Sequence, residues 1–236
     1  MDIGNTKAKM AVFNSDGEME EYVVMSNPGI RKVRQLHSRH QIVGGIISST
    51  RNLKEDFISK VNALFPCFIL SKDTDVPITS EYETPSTLGK DRLAAVIAAD
   101  AIYGGSSVLV IDIGTCITYD IISKGIYKGG NISPGAHLKI KAMHRYTDKL
   151  PLVELVINED LMGKSTVKAL QNGAFYGTKG EIESFIRVFK KSFSELKVVF
   201  TGGDASLFAE TMDEKVIVRP YLVLEGLNEI LNYNAA

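Results

Sequence analysis

One device, written twice, constrains this chain more than any other feature. Asp2-Ile3-Gly4-Asn5-Thr6-Lys7-Ala8-Lys9 stands at the start, and Asp112-Ile113-Gly114-Thr115 repeats its opening in the second half. Each copy sets an acidic residue, an apolar residue and a glycine before a small hydroxyl or amide residue at a turn between strands. After the first copy, residues 8–25 read as a hairpin. Ala8, Met10 and Val12 alternate, Asn14-Ser15-Asp16-Gly17 is turn chemistry, and Tyr22-Val23-Val24-Met25 resumes β character. After the second copy, residues 117–122 read as a return strand, Ser123-Lys124-Gly125 as a turn and residues 126–130 as a third strand. Either triplet alone is explained as a plain hairpin turn. The matched order points to a duplicated α/β unit.

Between the copies, Asn27-Pro28-Gly29 breaks the first β-run, and a basic segment over residues 30–40 reads as a helix. A short strand is expected over 42–48, a helix over 52–64 capped by Ser49 or Thr50, and another strand over 68–70. Leu53, Phe57, Val61 and Leu64 share one face of that helix. Strand alternating with helix suggests a parallel α/β region. Residues 71–90 form a polar loop with Pro77, Pro85 and Gly89, a length that usually signals function. A strong helix pattern follows and ends before Gly104-Gly105, which gives the expected division into lobes 1–105 and 106–236. In the second lobe, residues 108–111 read as a buried strand delivering Asp112 to its turn. Ser133 or Pro134 opens a helix to about residue 146, and a long helix spans 167–193, with Gly173, Gly177 and Gly180 read as points of close packing. A strand over 198–201, a turn at Gly202-Gly203-Asp204 and a helix over 222–231 close the chain.

At 236 residues the chain can bury two cores of ordinary size. Its net charge of −1 gives no broad field to recruit nucleic acid or an anionic membrane, although a local basic pocket for one phosphate stays open. Cys67 and Cys116 make neither a disulfide framework nor a zinc spacing, and both are expected as buried, reduced thiols. His37, His40, His137 and His144 lack partners at ligand spacing, so no zinc site is expected. No signal peptide precedes Asp2 and no apolar run approaches about 18 residues, so a soluble cytoplasmic protein is expected.

Four segments carry chemistry. In the paired turns, glycine lets backbone N–H groups approach a phosphate, Asn5, Thr6 or Thr115 add donors, and the aspartate holds a cation or its water. Gly89-Lys90-Asp91-Arg92 sets a carboxylate beside a guanidinium at a helix N-terminus. It reads either as a base next to an anion-binding group or as ordinary helix design. Gly163-Lys164-Ser165-Thr166 is not a Walker A loop, because Asn158 stands where that loop needs glycine. It opens a helix by capping or by binding an oxygen-rich ligand. Thr201-Gly202-Gly203-Asp204 reads as a close approach to adenine or ribose, or as a tight turn capped by Asp204.

Taken in order, these segments and Gly129-Gly130-Asn131-Ile132-Ser133-Pro134-Gly135 resemble the type III pantothenate kinases of the acetate and sugar kinase, Hsp70 and actin superfamily. The resemblance covers nearly the whole chain. It implies two actin-like (ribonuclease H-like) lobes related by duplication, with mixed sheets flanked by helices and ATP in the cleft between them. It further implies transfer of the ATP γ-phosphoryl group to the 4′-hydroxyl of pantothenate, the first step of coenzyme A synthesis. By this resemblance Asp2, Ile3, Gly4, Asn5, Thr6, Lys7, Ala8, Lys9 and Thr115 contact ATP, and Asp91 is the general base. Tyr82, Gly89, Lys90, Asp91, Arg92 and Thr166 contact pantothenate, with Arg92 gripping its carboxylate or a neighbouring loop. Asp112 holds a monovalent cation, potassium or ammonium, and Mg²⁺ accompanies ATP. The family's homodimeric state implies an apolar interface on the helix around residues 164–193. Family members carry a few apolar residues ahead of the first aspartate, where this sequence has Met1, so a shortened first strand is expected. The competing readings are a non-catalytic nucleotide-binding regulator of actin-like fold and a kinase of another small alcohol.

Overall fold

Two compact units make up the computed structural model, which describes residues 1–4 and 6–235. Asn5, one of the expected ATP contacts, lies outside the described residues. The first unit comprises Met1–Gly104 with Gly125–Tyr127 and Tyr221–Ala236, and the second Gly105–Lys124 with Lys128–Pro220.

The first unit opens with β1 (Asp2–Ile3), β2 (Ala8–Phe13) and β3 (Met19–Met25). Helix α1 (Ile30–His40), β4 (Gly45–Ser49), α2 (Glu55–Asn62) and β5 (Cys67–Ile69) follow, and the strands assemble in the order β3-β2-β1-β4-β5. β1 pairs antiparallel with β2, Asp2 opposite Lys9, and parallel with β4, Asp2 opposite Ser48. Alternation along β2 buries Ala8, Met10 and Val12; Val33, Leu36, Val61 and Phe65 meet Met10 and Val12, and Ile3 and Ile47 meet Ala8. The hairpin turn forms as expected: Asn14 Oδ1 accepts from the Asp16 and Glu18 amides at 3.0 and 2.9 Å.

Some boundaries differ from the sequence reading. β4 starts at Gly45, after an exposed Val43 that lies outside the sheet. α2 starts at Glu55, since the Ser49 hydroxyl donates to the Arg51 carbonyl at 2.8 Å and accepts its amide at 3.1 Å, folding residues 49–51 into a turn instead of capping a helix. The polar loop holds two short elements, β6 (Thr79–Ser80), paired in parallel with Ile126 and Tyr127, and a 3₁₀ turn at Pro85–Thr87. Helix α3 (Lys90–Tyr103) then buries a small-residue face of Ala94, Ala95, Ala98 and Ala99.

The second unit contains β7 (Ser107–Ile113), β8 (Cys116–Ser123), most of β9 (Ile126–Pro134), α4 (Ala136–Arg145), α5 (Thr166–Ser192), β10 (Lys197–Thr201), α6 (Ala205–Ala209) and β11 (Ile217–Val218). Its strands run β11-β10-β7-β8-β9. β7 continues past the expected end, so Asp112 is a strand residue paired with Thr118 and Thr201 and the turn proper is Gly114-Thr115. Phe175, Phe200, Phe208 and Tyr119 fill the core. Each large apolar side chain buried this way contributes about 1.5–3 kcal/mol.

Three further expectations fail here. Gly173, Gly177 and Gly180 are exposed, with open space where a side chain would stand, so they are not packing points. Cys116 is exposed and Cys67 only half-buried, because Cys116 opens β8 at the turn and Cys67 opens β5. α4 starts after Gly135 rather than at Ser133, whose hydroxyl donates instead to the Glu181 carboxylate. The last helix, α7 (Leu222–Ala235), belongs to the first unit, where it lies on α3. No helix of the described residues is long and apolar enough to cross a membrane.

Candidate functional site

In the first unit, β1 carries Asp2 to its turn with only 9 % of its surface exposed. Gly4 N–H donates to the Lys7 carbonyl at 3.0 Å and closes the turn. Ile3 and Ala8 point into the core, so they present only backbone to a ligand, while Thr6 and Lys7 are exposed. Burial pushes the Asp2 carboxyl above its ordinary range; the charge of Lys9 opposes this and the charge of Asp91 reinforces it. Asp91 on α3, far away in sequence, is therefore near enough in the fold for its charge to act on Asp2 of β1.

Asp91 occupies the first turn of α3. Its Oδ1 accepts the Arg92 amide at 2.9 Å, and a side chain at Gly89 would bring a Cβ within 2.6 Å of the same oxygen. Glycine is needed at 89 for the carboxylate to fold back over the helix start. Arg92 is 95 % removed from solvent, leaving 5 % exposed, with Nη2 donating to the Tyr127 hydroxyl at 3.0 Å and the guanidinium 5.7 Å from the Tyr82 ring. Tyr82 and Tyr127 stack at 5.9 Å. The expected substrate residues Tyr82, Gly89, Asp91 and Arg92 are thus brought together in one unit, on a buried cation held by two aromatic rings. Lys90 lines a separate cavity of about 450 Å³ with Ser49, Arg51 and Asn52.

Sequence reasoning missed Arg51 and Tyr127. Arg51 Nε donates to the Gly4 carbonyl at 2.5 Å, and its other nitrogens reach Asn27 Oδ1 and the Ser26 carbonyl at 3.3 and 3.4 Å. It clamps the first turn from outside. Tyr127 lies in the second half of the sequence but packs in the first unit. No motif marks either residue; the only hint was a basic residue after a strand.

In the second unit, Gly114 N–H donates to the Cys116 carbonyl at 3.0 Å, and Gly135 N–H donates to the Thr115 carbonyl at 3.0 Å. A Cβ at Gly135 would overlap the Gly114 carbonyl. One at Gly202, where φ is +96°, would overlap Asp112 Oδ1. The glycine motifs at 129–135 and 201–204 therefore let backbone close around the Asp112 turn. Asp204 makes no side-chain cap on α6 and lies 3.9 Å from His137 Nε2. Thr166 is the exposed first residue of α5, and Ser165 caps that helix by accepting the Lys168 amide at 3.3 Å.

Behind the turn lies a hydrogen-bonded cluster centred on Glu181 of α5. Oε1 accepts from Tyr119 at 2.9 Å and from Ser133; Oε2 accepts from Lys139 at 2.8 Å, and Lys139 also reaches Thr178 at 3.0 Å. Burial pushes the Glu181 carboxyl up, but the bonds from Lys139, Ser133 and Tyr119 outweigh it and hold it below the ordinary range. Tyr119 is pushed far above its ordinary value, first by burial and then by Glu181.

Among the described residues no group of three or more His, Cys, Asp and Glu side chains could enclose a metal. A magnesium ion that arrives with a nucleotide keeps most of its water and phosphate ligands and needs only one or two carboxylates. Asp2, made less tolerant of its charge by burial and further by the charge of Asp91, fits that requirement.

The family model for type III pantothenate kinase matches residues 1–188. A type III pantothenate kinase from Phocaeicola vulgatus is 42% identical over 236 residues, covering 99% of this chain and 97% of its own. Among solved structures, a protein assigned to the Baf family of transcriptional activators from Campylobacter jejuni aligns with a TM-score of 0.63 at 25% identity, over 99% of this chain and 97% of that one. The activator of 2-hydroxyisocaproyl-CoA dehydratase from Clostridium difficile, solved with ADPNP, aligns with a TM-score of 0.55 at 13% identity, over 98% and 91%. The last likeness shows the shared actin-like fold.

Proposed function

The chain belongs to the type III pantothenate kinase family, and from that premise we propose how its residues divide the reaction. The enzyme is a phosphotransferase that phosphorylates pantothenate at the expense of ATP, in coenzyme A biosynthesis. In our reading Asp91 is the general base, taking the proton of the attacking 4′-hydroxyl as that oxygen bonds to the γ-phosphorus and ADP leaves. The Asp2–Lys9 turn and Thr115 contact ATP phosphates, and Asp2 and Asp91 would sit beside any Mg²⁺ bound with the nucleotide, which would supply neutralisation of the phosphate charge there. Phosphoryl transfer needs positioning and charge neutralisation more than covalent help. The single observation that carries the assignment is the electrostatic proximity of Asp91 to Asp2. It ties the proposed base to the strand that bears the proposed phosphate turn.

Tyr82, Gly89, Lys90, Arg92 and Thr166 are assigned to pantothenate. Arg92 is held by Tyr127 and Tyr82, which favours a fixed cation over a mobile grip. Asp112 is assigned to potassium or ammonium, a homodimer to the assembly, the cytoplasm to the location, and the lobes 1–105 and 106–236 to a duplication. A regulator's reading draws on the shortened first strand and on the name of the Campylobacter relative; a pure binder has no use for an aligned Asp91 beside a buried arginine. The test is pantothenate-dependent ADP release, measured with potassium or ammonium present. Steady turnover that requires pantothenate is expected, and nucleotide binding without turnover would favour the regulator.

A further inference from the structure

Ser48 and Ser49 stand side by side on β4 and use their hydroxyls differently. The Ser49 hydroxyl donates to the Arg51 carbonyl and accepts its amide. Ser48 is fully enclosed, and its Oγ has no hydrogen-bond partner among the described residues. Two other buried side-chain atoms share that lack. His37 and Glu183, however, both keep part of their surface in solvent, and Glu183 Oε1 lies 2.9 Å from Lys179 Nζ. A hydroxyl buried without a partner destabilises the fold in a way that alanine in its place does not. Such a group in a folded protein calls for a role.

The strand register says what Ser48 faces. Residues paired directly across neighbouring strands carry their side chains on the same face of a sheet, and faces alternate along each strand. Ile3 pairs with Ala8 and Ser49, and this face packs on Leu53, Phe57 and Ile58. Asp2 pairs with Lys9 on one side and Ser48 on the other, so these three share the opposite face. The Asp2 carboxylate therefore has a cation on one flank and an unpartnered hydroxyl on the other. With strands about 4.8 Å apart, a staggered rotamer of Ser48 can bring Oγ to a carboxylate oxygen.

We propose that Ser48 is a positioning residue for Asp2: its hydroxyl donates to one carboxylate oxygen and leaves the other free for the cation that accompanies the nucleotide. A hydroxyl bond to a charged carboxylate is among the stronger ones, and carboxylates that hold ions are commonly oriented by such donors. The lone hydroxyl destabilises the unliganded fold and is satisfied on binding. Its enclosure suits the role, because Ser48 reaches its neighbour on the sheet and not solvent. The inference rests on the reading of Asp2 beside a magnesium nucleotide given above.

Calorimetric titration with ADP, once with magnesium and once with EDTA, tests it on the native chain and on Ser48→Ala, alongside thermal unfolding without ligand. The native protein is expected to bind ADP more tightly with magnesium. Ser48→Ala is expected to lose about tenfold in affinity for magnesium ADP, the usual effect of removing such a donor, and to bind ADP in EDTA as before. Its unliganded Tm should rise by about 2–4 °C as the unpartnered hydroxyl is removed. A fall in that Tm would show a hydroxyl already in use and would overturn the proposal. In an Asp2→Asn background the Ser48→Ala change should alter neither titration; an undiminished loss there would overturn action through Asp2. Equal magnesium preference in the native and Ser48→Ala proteins would overturn the proposal alone. No magnesium preference in the native protein would overturn the reading of Asp2, and the proposal with it.

Discussion

The two Asp-Ile-Gly turns share a plan and differ in what supports them. In each, the isoleucine is buried, the glycine amide bonds to a carbonyl a few residues on, and a parallel neighbour strand sends one amide back to the isoleucine carbonyl. Thr50 does this for Ile3 at 3.1 Å and Asp204 for Ile113 at 3.0 Å. That common backbone pattern is what the proposed duplication would leave. The first turn is then clamped by a side chain, Arg51, which grips Gly4 O from a flexible stem. The second is clamped by backbone, Gly135 and Gly202 having no side chains to keep it away. A side-chain clamp can release; a glycine clamp is fixed by packing. Asp2 is also buried beside a second carboxylate, whereas Asp112 is only half-buried. On the proposed assignment the chemistry falls to the first copy and rigid support to the second.

The largest expected difference is catalytic. Asp91→Asn should lower kcat by roughly 10²–10⁴-fold, the usual worth of a positioned base, with ATP binding largely kept. Asp112→Asn should instead raise the potassium or ammonium concentration needed for half-maximal rate. Steady-state kinetics over a cation series reads both, and an equal collapse of kcat in the two variants would erase the distinction.

Next come the clamps. Gly135→Ala forces a methyl into the Gly114 carbonyl and should destabilise by about 1–3 kcal/mol or more, visible as a lower Tm. Arg51→Ala should leave Tm nearly unchanged and raise KM for ATP about tenfold, equivalent to about 1.4 kcal/mol, with KM for pantothenate little affected. A Tm loss for Arg51→Ala as large as that for Gly135→Ala would show that both turns are held the same way.

Glu181→Gln probes the support behind the second turn. Glu181 anchors Ser133 and Lys139, which flank Gly135 on either side. Its half-buried setting and three donors suggest a loss of about 1–2 kcal/mol, measured by denaturant unfolding. Since its carboxyl is held below the ordinary range, the group's stabilisation is present above the unfolded carboxylate pKa and is lost as pH falls through the lower folded value. The Gln variant should therefore converge with the native chain in acid.

The smallest effect belongs to the first unit alone. His40 bridges Glu20 and Glu21, tying α1 to β3, with ring nitrogens 3.0 and 2.8 Å from the carboxylates. The bond to Glu21 chiefly raises His40 above its ordinary 6.5, and the bond to His40 chiefly lowers Glu21 below its ordinary 4.5. The imidazolium's share is full below 6.5 and fades as pH rises through the raised value. The carboxylate's share is full above 4.5 and fades as pH falls through the lowered one. A small rise in Tm between those limits is expected, and His40→Gln should flatten it.

Much of this was legible in the chain. Residues 8–25 alternate with period two around Asn14-Ser15-Asp16-Gly17, and such a pattern has one hairpin register that buries Ala8, Met10 and Val12. Helices α1, α3 and α5 declared themselves through apolar spacing and glycine or serine boundaries. What failed were local competitions and contacts from afar. Ser49 could cap a helix or fold a turn, and only its neighbours decided. Gly173, Gly177 and Gly180 look the same in sequence whether they face a partner helix or solvent.

The sequence by itself determined that a glycine turn occurs twice, that the second follows a buried strand, and that an Asp-Arg pair opens a helix after a long loop. These are short-range facts, set by sterics and by the period of apolar residues. Tertiary structure alone decided that Asp91 shares the field of Asp2, that Tyr127 returns from the second half to hold Arg92, and that α7 closes the first unit. Each of those depends on which distant surfaces bury one another, and burial is a property of the whole fold that no local pattern encodes.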